Sequence, residues 1–554
     1  MTWICQLDYF DPVDSTETFV RLSLGPGVST LDAGYVPGGL LKWASPNQKI
    51  TTDSNGVISA STDQGEIDIL NVPDAVAGAG RLDWLITKIF QGRSATLYWL
   101  PEGAAWADAV LSSSGVLEQP YADPQLGDTP TAQIVFQTRD PRSVLTANLQ
   151  TTLYAGTNVG SAGVEGTATD IMGKPKPILY GRASNIPGVQ VNTSQLIWQV
   201  SDATAYVDCV RDGGVALTPA VQRGNLASLY ANTPSPGYYD WCNVSSEGTF
   251  VKVGSTPQFS LGMDVYEGAT IADRTVAQIW NRMRQDRCFT TSGQIDSSSI
   301  TAADALDSGE SGFWWDGVLT QVNALDQVLQ AFSGYEFLST AGLWTIEKLT
   351  VPLSTDTPAF NFIIPERTTI KGLTDRDLVT LTFVRPDYSP DGAPPYQVTV
   401  NWGEAYTVMS ATDFAGAAIQ RLQQKFAQQY RTSVAANTAL WNPVTNTGPW
   451  KNAPAFLMTS AYAVDSGGLT CAAADAEAAR LLAMFGVQRL QAQLTFKGEP
   501  GDIIDPGMVM KMTIASYGLS GGALFKVLQS KEQLDLNGYQ ISLIIGLQHL
   551  PGDP

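Results

Sequence analysis

Signatures of catalysis and metal binding are what this sequence most clearly lacks. Its one histidine, His549, stands near the end of the last apolar strand pattern with no Ser or Cys motif around it, so a Ser-His-Asp or Cys-His site has no anchor and a surface position is expected. No G-x-x-x-x-G-K-[ST], H-E-x-x-H or D-x-D-x-D-G pattern occurs, which leaves no signature of a phosphate loop, a zincin helix or a calcium loop. The five cysteines, Cys5, Cys209, Cys242, Cys288 and Cys471, lie far apart without a CxxC pair; an odd, dispersed set argues against a disulfide framework and a zinc site, and predicts buried thiols. Charged residues are only 16% of the chain, and 33 Lys and Arg stand against 53 Asp and Glu, a formal charge of -20. Without a basic stripe, tight DNA or RNA binding is not expected, although nucleic acid that only slides past would be kept from sticking. There is no apolar run of about 18 residues, and the start "MTWICQLDYFDPVDS" has no basic region before an apolar one. A soluble chain made in the cytoplasm is therefore expected.

What is present is turn chemistry and alternation. With 51 Gly, 31 Pro and 44% hydrophobic residues in 554, the chain reads as roughly three to five mainly β units with α+β inserts, several of them small barrels or sandwiches. A first β domain is expected over 1–150; in "GVISASTDQGEIDILNVPD" the apolar residues 58, 67, 69 and 70 alternate with polar ones. Within it Leu82, Leu85, Ile86, Ile89 and Phe90 have helical spacing and Gly92 stops them, predicting a short helix before a strand at Ser94 to Leu100. A second β domain is expected over 151–265, with a hairpin at Asp212-Gly213-Gly214.

An inserted α+β domain follows over 266–352. Val276, Ile279, Trp280 and Met283 predict one helix with Asp273 as N-cap, Thr320 to Phe332 predicts another, and a hairpin follows around Thr340-Ala341-Gly342. Returning strands and a surface helix at about 412–431 are expected over 353–465. The last domain, 466–554, opens with a helix at about Ala472 to Gly486 capped by Thr470 and ends in an antiparallel barrel or sandwich with an Asn537-Gly538 hairpin.

Paired carboxylates for glycoside hydrolysis would need only two residues, and Asp68, Asp83, Glu310, Asp316 and Glu336 are eligible. With 53 acids in the chain, solvated acidic faces are the preferred reading. Trp314 and Trp315 in "GESGFWWDG" suit burial or a subunit contact better than a sugar platform.

The stretch "MGKPKPILYGRASNIPG" (172–188) is distinctive. Pro175 and Pro177 fix φ and remove two donors, so Lys174 to Ile178 should run as an exposed, stiff ribbon. This ribbon with its downstream "DGGVALT" turn, preceded by "GEIDILN", "LDWL" and "GRSATLYW" and followed in order by "TVAQIWNRM", "GLWTIEKLTVP", "PPYQVTVNW", "ADAEAARLLAMF", "GDIIDPGMVMKM" and "LFKVLQSKEQLDLNGYQISLIIG", resembles the tail hub proteins of long-tailed bacteriophages. These include the baseplate hubs of siphophages and gene transfer agents and the hub part of the lambda tail-tip protein.

The resemblance implies a non-enzymatic structural hub in the virion tail tip, assembled in the host bacterial cytoplasm without cofactor or metal. It implies a homotrimeric ring of split β-barrels between the sixfold tail tube and threefold tip fibres. The implied partners are distal tail and tail tube proteins and tip fibre or receptor-binding proteins, with viral DNA passing through the lumen unbound and no membrane insertion. Lys174, Pro175, Pro177, Tyr180, Gly181, Trp314 and Trp315 become candidates for structural or subunit contacts. A phage-associated cell-wall glycan hydrolase and a receptor-binding protein are the alternatives.

Overall fold

The computed structural model describes residues 2–553 apart from 26, 31–33, 46–47, 53–57, 63–64, 72–80, 102, 126–130, 140, 158–165, 340–341, 365–377, 387–391, 414–425, 464–469, 500–501, 503 and 536–537. Strands dominate them, as alternation and turn content predict. In Gly65–Asn71 every second residue is buried, placing Ile67 and Ile69 in the core and Glu66 and Asp68 on the outer face.

Seven strands close on themselves in the N-terminal part. Starting from Thr2–Asp11, pairing runs through Thr16–Leu24, Gly38–Ala44, Gly65–Asn71, Thr131–Arg139, Val110–Leu117 and Ser94–Leu100, which returns to the first strand. Closure removes the unpaired edges an open sheet would expose.

A second curled sheet is built mostly from the C-terminal end. Gln491–Lys497, Val509–Ile514, Ala523–Asp535 and Gly538–Gly546 are joined by Phe360–Ile364, parallel to Val509–Ile514, and by Leu378–Val384 beside Gln491–Lys497. The antiparallel unit expected at the C-terminus thus takes in two strands from far upstream, one of them parallel. Phe362 on one outer strand meets Phe496, ring centroids 5.1 Å apart, so the sheet curls round a shared interior.

Between them in the sequence come two five-stranded sheets. One carries Ile178–Ile186, Tyr206–Asp212, Val215–Ala216 and Leu261–Tyr266, with Gly312–Trp315 added at its edge. The other carries Val189–Asn192, Ile197–Ser201, Thr218–Arg223, Tyr238–Val244 and Gly248–Val253. Ile186, Val200, Val251 and Met263 fill the space between them.

The helices follow their predicted faces with shifted caps. Val276–Arg287 buries Val276, Ile279, Trp280 and Met283, but its N-cap is Thr275, whose Oγ1 accepts from Gln278 N; Asp273 instead caps the preceding turn by accepting from Thr270 N at 2.8 Å. Gln321–Gln330 is capped by Thr320, and Cys471 rather than Thr470 takes the N-cap position of Ala472–Phe485, without a capping bond from its side chain. Ser297–Leu306, rich in weak helix formers, was not expected; Asp296 caps it by accepting from Ser298 N.

The helix expected over Leu82 to Phe90 is a single 3-10 turn, Asp83–Thr87. Asn71 pins its start, accepting from Leu82 N at 2.8 Å and donating to Asp83 at 2.6 Å, and Ile86 and Ile89 stay exposed. Most of the helix expected at 412–431 lies outside the described residues, and Arg431 opens the strand Arg431–Ala436. The hairpin around residues 340–342 is present as Gly334–Leu338 paired with Trp344–Lys348; its residues 340–341, like Asn537 of the last hairpin, lie outside the described set.

Candidate functional site

The seam between the two barrel-like sheets rests on one long strand, Ala523–Asp535. Pairing with Gly538–Gly546 along one side, it also meets the N-terminal barrel, Gln533 opposite Ala44 and Leu534 opposite Trp43, and the hairpin strand Gln48–Thr52, Gln529 opposite Lys49. Ser45 N donates to Glu532 O at 3.0 Å, and Glu532 N donates to Ser45 Oγ at 2.9 Å. Across the same seam Ser112 Oγ donates to Tyr539 OH at 3.2 Å, and Trp3 packs on Tyr539 with centroids 4.7 Å apart. One apolar cluster runs through both sheets, from Leu7, Trp43 and Phe136 to Phe496, Phe525 and Ile545, so the two behave as one packed body.

The α+β segment from Val276 to Lys348, the expected insert, is held by buried charge. Glu336, 1% exposed, accepts from Trp280 Nε1 at 2.6 Å and Arg142 Nε at 3.0 Å and pairs with Arg284 at 2.8 Å. Burial opposes its ionisation, but the guanidiniums of Arg284 and Arg142 outweigh that and hold the carboxyl below its usual range. Arg142 follows the last strand of the N-terminal barrel and also donates to Ala60 O at 2.9 Å, so this centre ties barrel to insert. A second cluster ties the insert to the C-terminal helix: Lys348 Nζ lies 2.6 Å from Asp307 and 2.9 Å from Glu477, and Arg480 lies 2.7 Å from Glu477. Although buried, Glu477 is held down to about 2, the cations of Arg480 and Lys348 outweighing the burial cost.

These partners decide the fate of the eligible carboxylates. Glu336 and Glu310 are bound to arginines, Glu310 to Arg274 at 2.6 Å. Asp83 accepts from Asn71, Asp68 lies 3.9 Å from Lys42, and Asp316 is exposed. Asp68 and Asp83 belong to the N-terminal barrel region and the other three to the insert, and Glu310 and Glu336 answer to different arginines.

The ribbon candidates are brought together in part. Tyr180 stands opposite Phe313, Gly181 opposite Gly312, Leu179 opposite Trp314 and Ile178 opposite Trp315. Gly181 has φ +65, and a Cβ there would collide with Ser311 O. Tyr180 OH donates to Asp286 at 3.2 Å and accepts from Arg287 Nε at 3.2 Å. Trp314 is buried, its Nε1 donating to Val200 O at 3.0 Å and its own N donating to Tyr406 OH at 3.0 Å. Trp315 is half-buried, stacked 6.5 Å from Phe313.

Of the ribbon, only Lys174 is exposed; Pro175 and Lys176 are half-buried and Pro177 and Ile178 buried. The expected exposed run is corrected: it docks antiparallel on the chain's own Thr152 to Tyr154, through Lys176 N to Thr152 O at 3.0 Å and Tyr154 N to Lys174 O at 3.0 Å. The prolines lack only donors that such a pairing leaves unused.

The cysteines stand as thiols, with Cys5, Cys242 and Cys471 buried and Cys209 and Cys288 half-buried. Burial pushes Cys242 and Cys288 up to about 12 and Cys5 higher still, away from nucleophilic or metal-binding chemistry. Among the described residues no group of three or more His, Cys, Asp or Glu could hold a metal ion, and no helix is long and apolar enough to cross a membrane. His549 is half-buried rather than on the open surface, its Nδ1 2.9 Å from Pro352 O. Sequence reasoning missed the seam and both charged clusters; the one available signal was that Arg284 and Glu336 stand inside apolar patterns.

No protein-family model and no curated protein matches the chain. Solved structures similar to it include a tail protein of Neisseria meningitidis MC58, at 9% identity and TM-score 0.37 over 99% of this chain and 97% of that one. The 43 kDa tail protein of prophage MuSo2 from Shewanella oneidensis is similar at 9% identity and TM-score 0.34, covering 98% of each chain. A prophage tail protein, gp18, from Listeria monocytogenes EGD-e is similar at 7% identity and TM-score 0.31, over 98% and 94% of the two chains.

Proposed function

We propose that the chain is a non-enzymatic structural hub of a phage tail tip or baseplate, three copies forming a ring between the tail tube and the tip proteins or fibres. The observation that carries the reading is the pair of barrel-like β sheets fused through the single strand Ala523–Asp535. Repeated about a threefold axis, a chain with two such sheets carries six of them, a number that suits a sixfold tube. The collinear motifs point the same way. The net charge of -20 suits a passage through which DNA slides without binding.

On this reading the ribbon at 174–178, with Tyr180, Gly181, Trp314 and Trp315, stiffens the second domain beside a neighbouring subunit. Its other partners are distal tail, tail tube and tip fibre proteins, its place is the virion, and it is assembled in the host cytoplasm. The test is molar mass by light scattering, with the protein alone and after mixing with tail tube protein. A trimer, or a monomer that becomes a threefold ring on mixing, is expected; a monomer that ignores the tube overturns the proposal.

A further inference from the structure

We propose that the seam between the two barrel-like sheets is latched by a proton on Glu532, so that it tightens on acidification and loosens as the pH rises. The inference stands on the seam alone and does not depend on the hub reading. Glu532 is 7% exposed and sits where both sheets meet, its backbone bonded in both directions to Ser45 of the other sheet. One of its carboxyl oxygens, Oε2, is buried and has no hydrogen-bond partner among the described residues, the arrangement expected of a neutral acid rather than a carboxylate.

The groups around it agree. From the strand Val110–Leu117 come the hydroxyls Ser112 and Ser113, from Gly538–Gly546 the phenol Tyr539, and from the loop before Val509 the carboxylates Asp502 and Asp505. On the adjoining strand Gly38–Ala44, Lys42 is engaged with Glu66 at 2.6 Å, and Lys49 of the neighbouring hairpin is registered with Gln529, three residues away. Burial, and then repulsion from Asp505 and Asp502, push the Glu532 carboxyl up to about 8, although the nearby Ser113 and Tyr539 hydroxyls favour the ionised form.

In an open seam the carboxyl returns to water and ionises near 4.5, its ordinary value. Between that value and about 8, opening releases one proton, so the opening equilibrium rises about tenfold for each pH unit. Below the window both states are protonated and above it both are ionised, so the dependence vanishes at each end.

Amide hydrogen exchange of the full chain, followed by mass spectrometry between about pH 5.5 and 7.5, reads this directly. After correction for intrinsic exchange, peptides covering 38–45 and 527–535 should lose roughly a hundredfold in protection over those two units. The strand Gly248–Val253 of the second domain should show no such slope, and Glu532→Gln should abolish it at the seam. Wild-type seam protection that is independent of pH overturns the proposal, as does an equal slope in Glu532→Gln. Should that variant fold poorly, the wild-type titration decides alone.

Discussion

Removing the carboxylate at the centre of the insert is the sharpest test of how this chain is held together. Glu336→Leu leaves Arg142 and Arg284, 7% and 1% exposed, facing an apolar side chain, and deprives Trp280 Nε1 of its acceptor. Breaking a buried pair by removing one partner costs about 3–5 kcal/mol. Some of the loss is cushioned here, since Arg142 keeps Asp326 and Ala60 O, and Arg284 stacks on Trp344 at 3.6 Å. A net cost of about 3 kcal/mol should lower the melting midpoint of the insert by roughly 12–24 °C in differential scanning calorimetry.

The double variant Glu336→Leu with Arg284→Met should recover part of that, because one of the stranded charges goes too. The pH dependence gives a second reading. The native carboxyl lies below its ordinary value of 4.5, so its stabilisation is complete above that value and is lost as the pH falls through the native one. Glu336→Gln should therefore flatten the acid limb of the insert's stability profile. A melting midpoint for Glu336→Leu within about 1 °C of wild type, or an unchanged acid limb in Glu336→Gln, would refute the reasoning.

Three further outcomes are expected. Gly181→Ala, at φ +65 with Ser311 O in the way, should cost at least about 2 kcal/mol in urea denaturation and loosen the pairing of Ile178–Ile186 with Gly312–Trp315. Replacing Pro175 and Pro177 together by alanine should reduce the yield of assembled rings in electron micrographs, while the melting midpoint of the isolated chain changes little; normal ring yield would sink the subunit-contact role. Trp314→Phe, which removes the Nε1 donor to Val200 O, should cost about 1–3 kcal/mol in the same denaturation assay and leave ring formation intact.

Much of the secondary structure was legible in the sequence, because periodicity is a local property. Gly65–Asn71 alternates as read, and Val276–Arg287 buries the four residues its spacing selected. Local reasoning failed where a distant group intervened. The apolar spacing at Leu82 to Phe90 favoured a helix, but Asn71 ties the first residues into a 3-10 turn. Lys174 to Ile178 looked exposed because Thr152 to Tyr154, which covers it, lies beyond a segment with no strand pattern. Tyr180, Gly181, Trp314 and Trp315 were singled out separately, yet only the fold makes them neighbours.

The sequence by itself determined the β-rich class, the strand faces, the absence of catalytic and metal signatures and the acidic balance, since these depend on composition and near-neighbour spacing. Tertiary structure alone decided which strands close the first barrel, that Phe360–Ile364 and Leu378–Val384 complete the second sheet, and that Glu336 is a strut between arginines. It also decided that Ser45 and Glu532, 487 residues apart, share the seam. Register and burial between such partners are set by packing across the whole body, and an ionisable group takes its character from neighbours that sequence distance does not reveal.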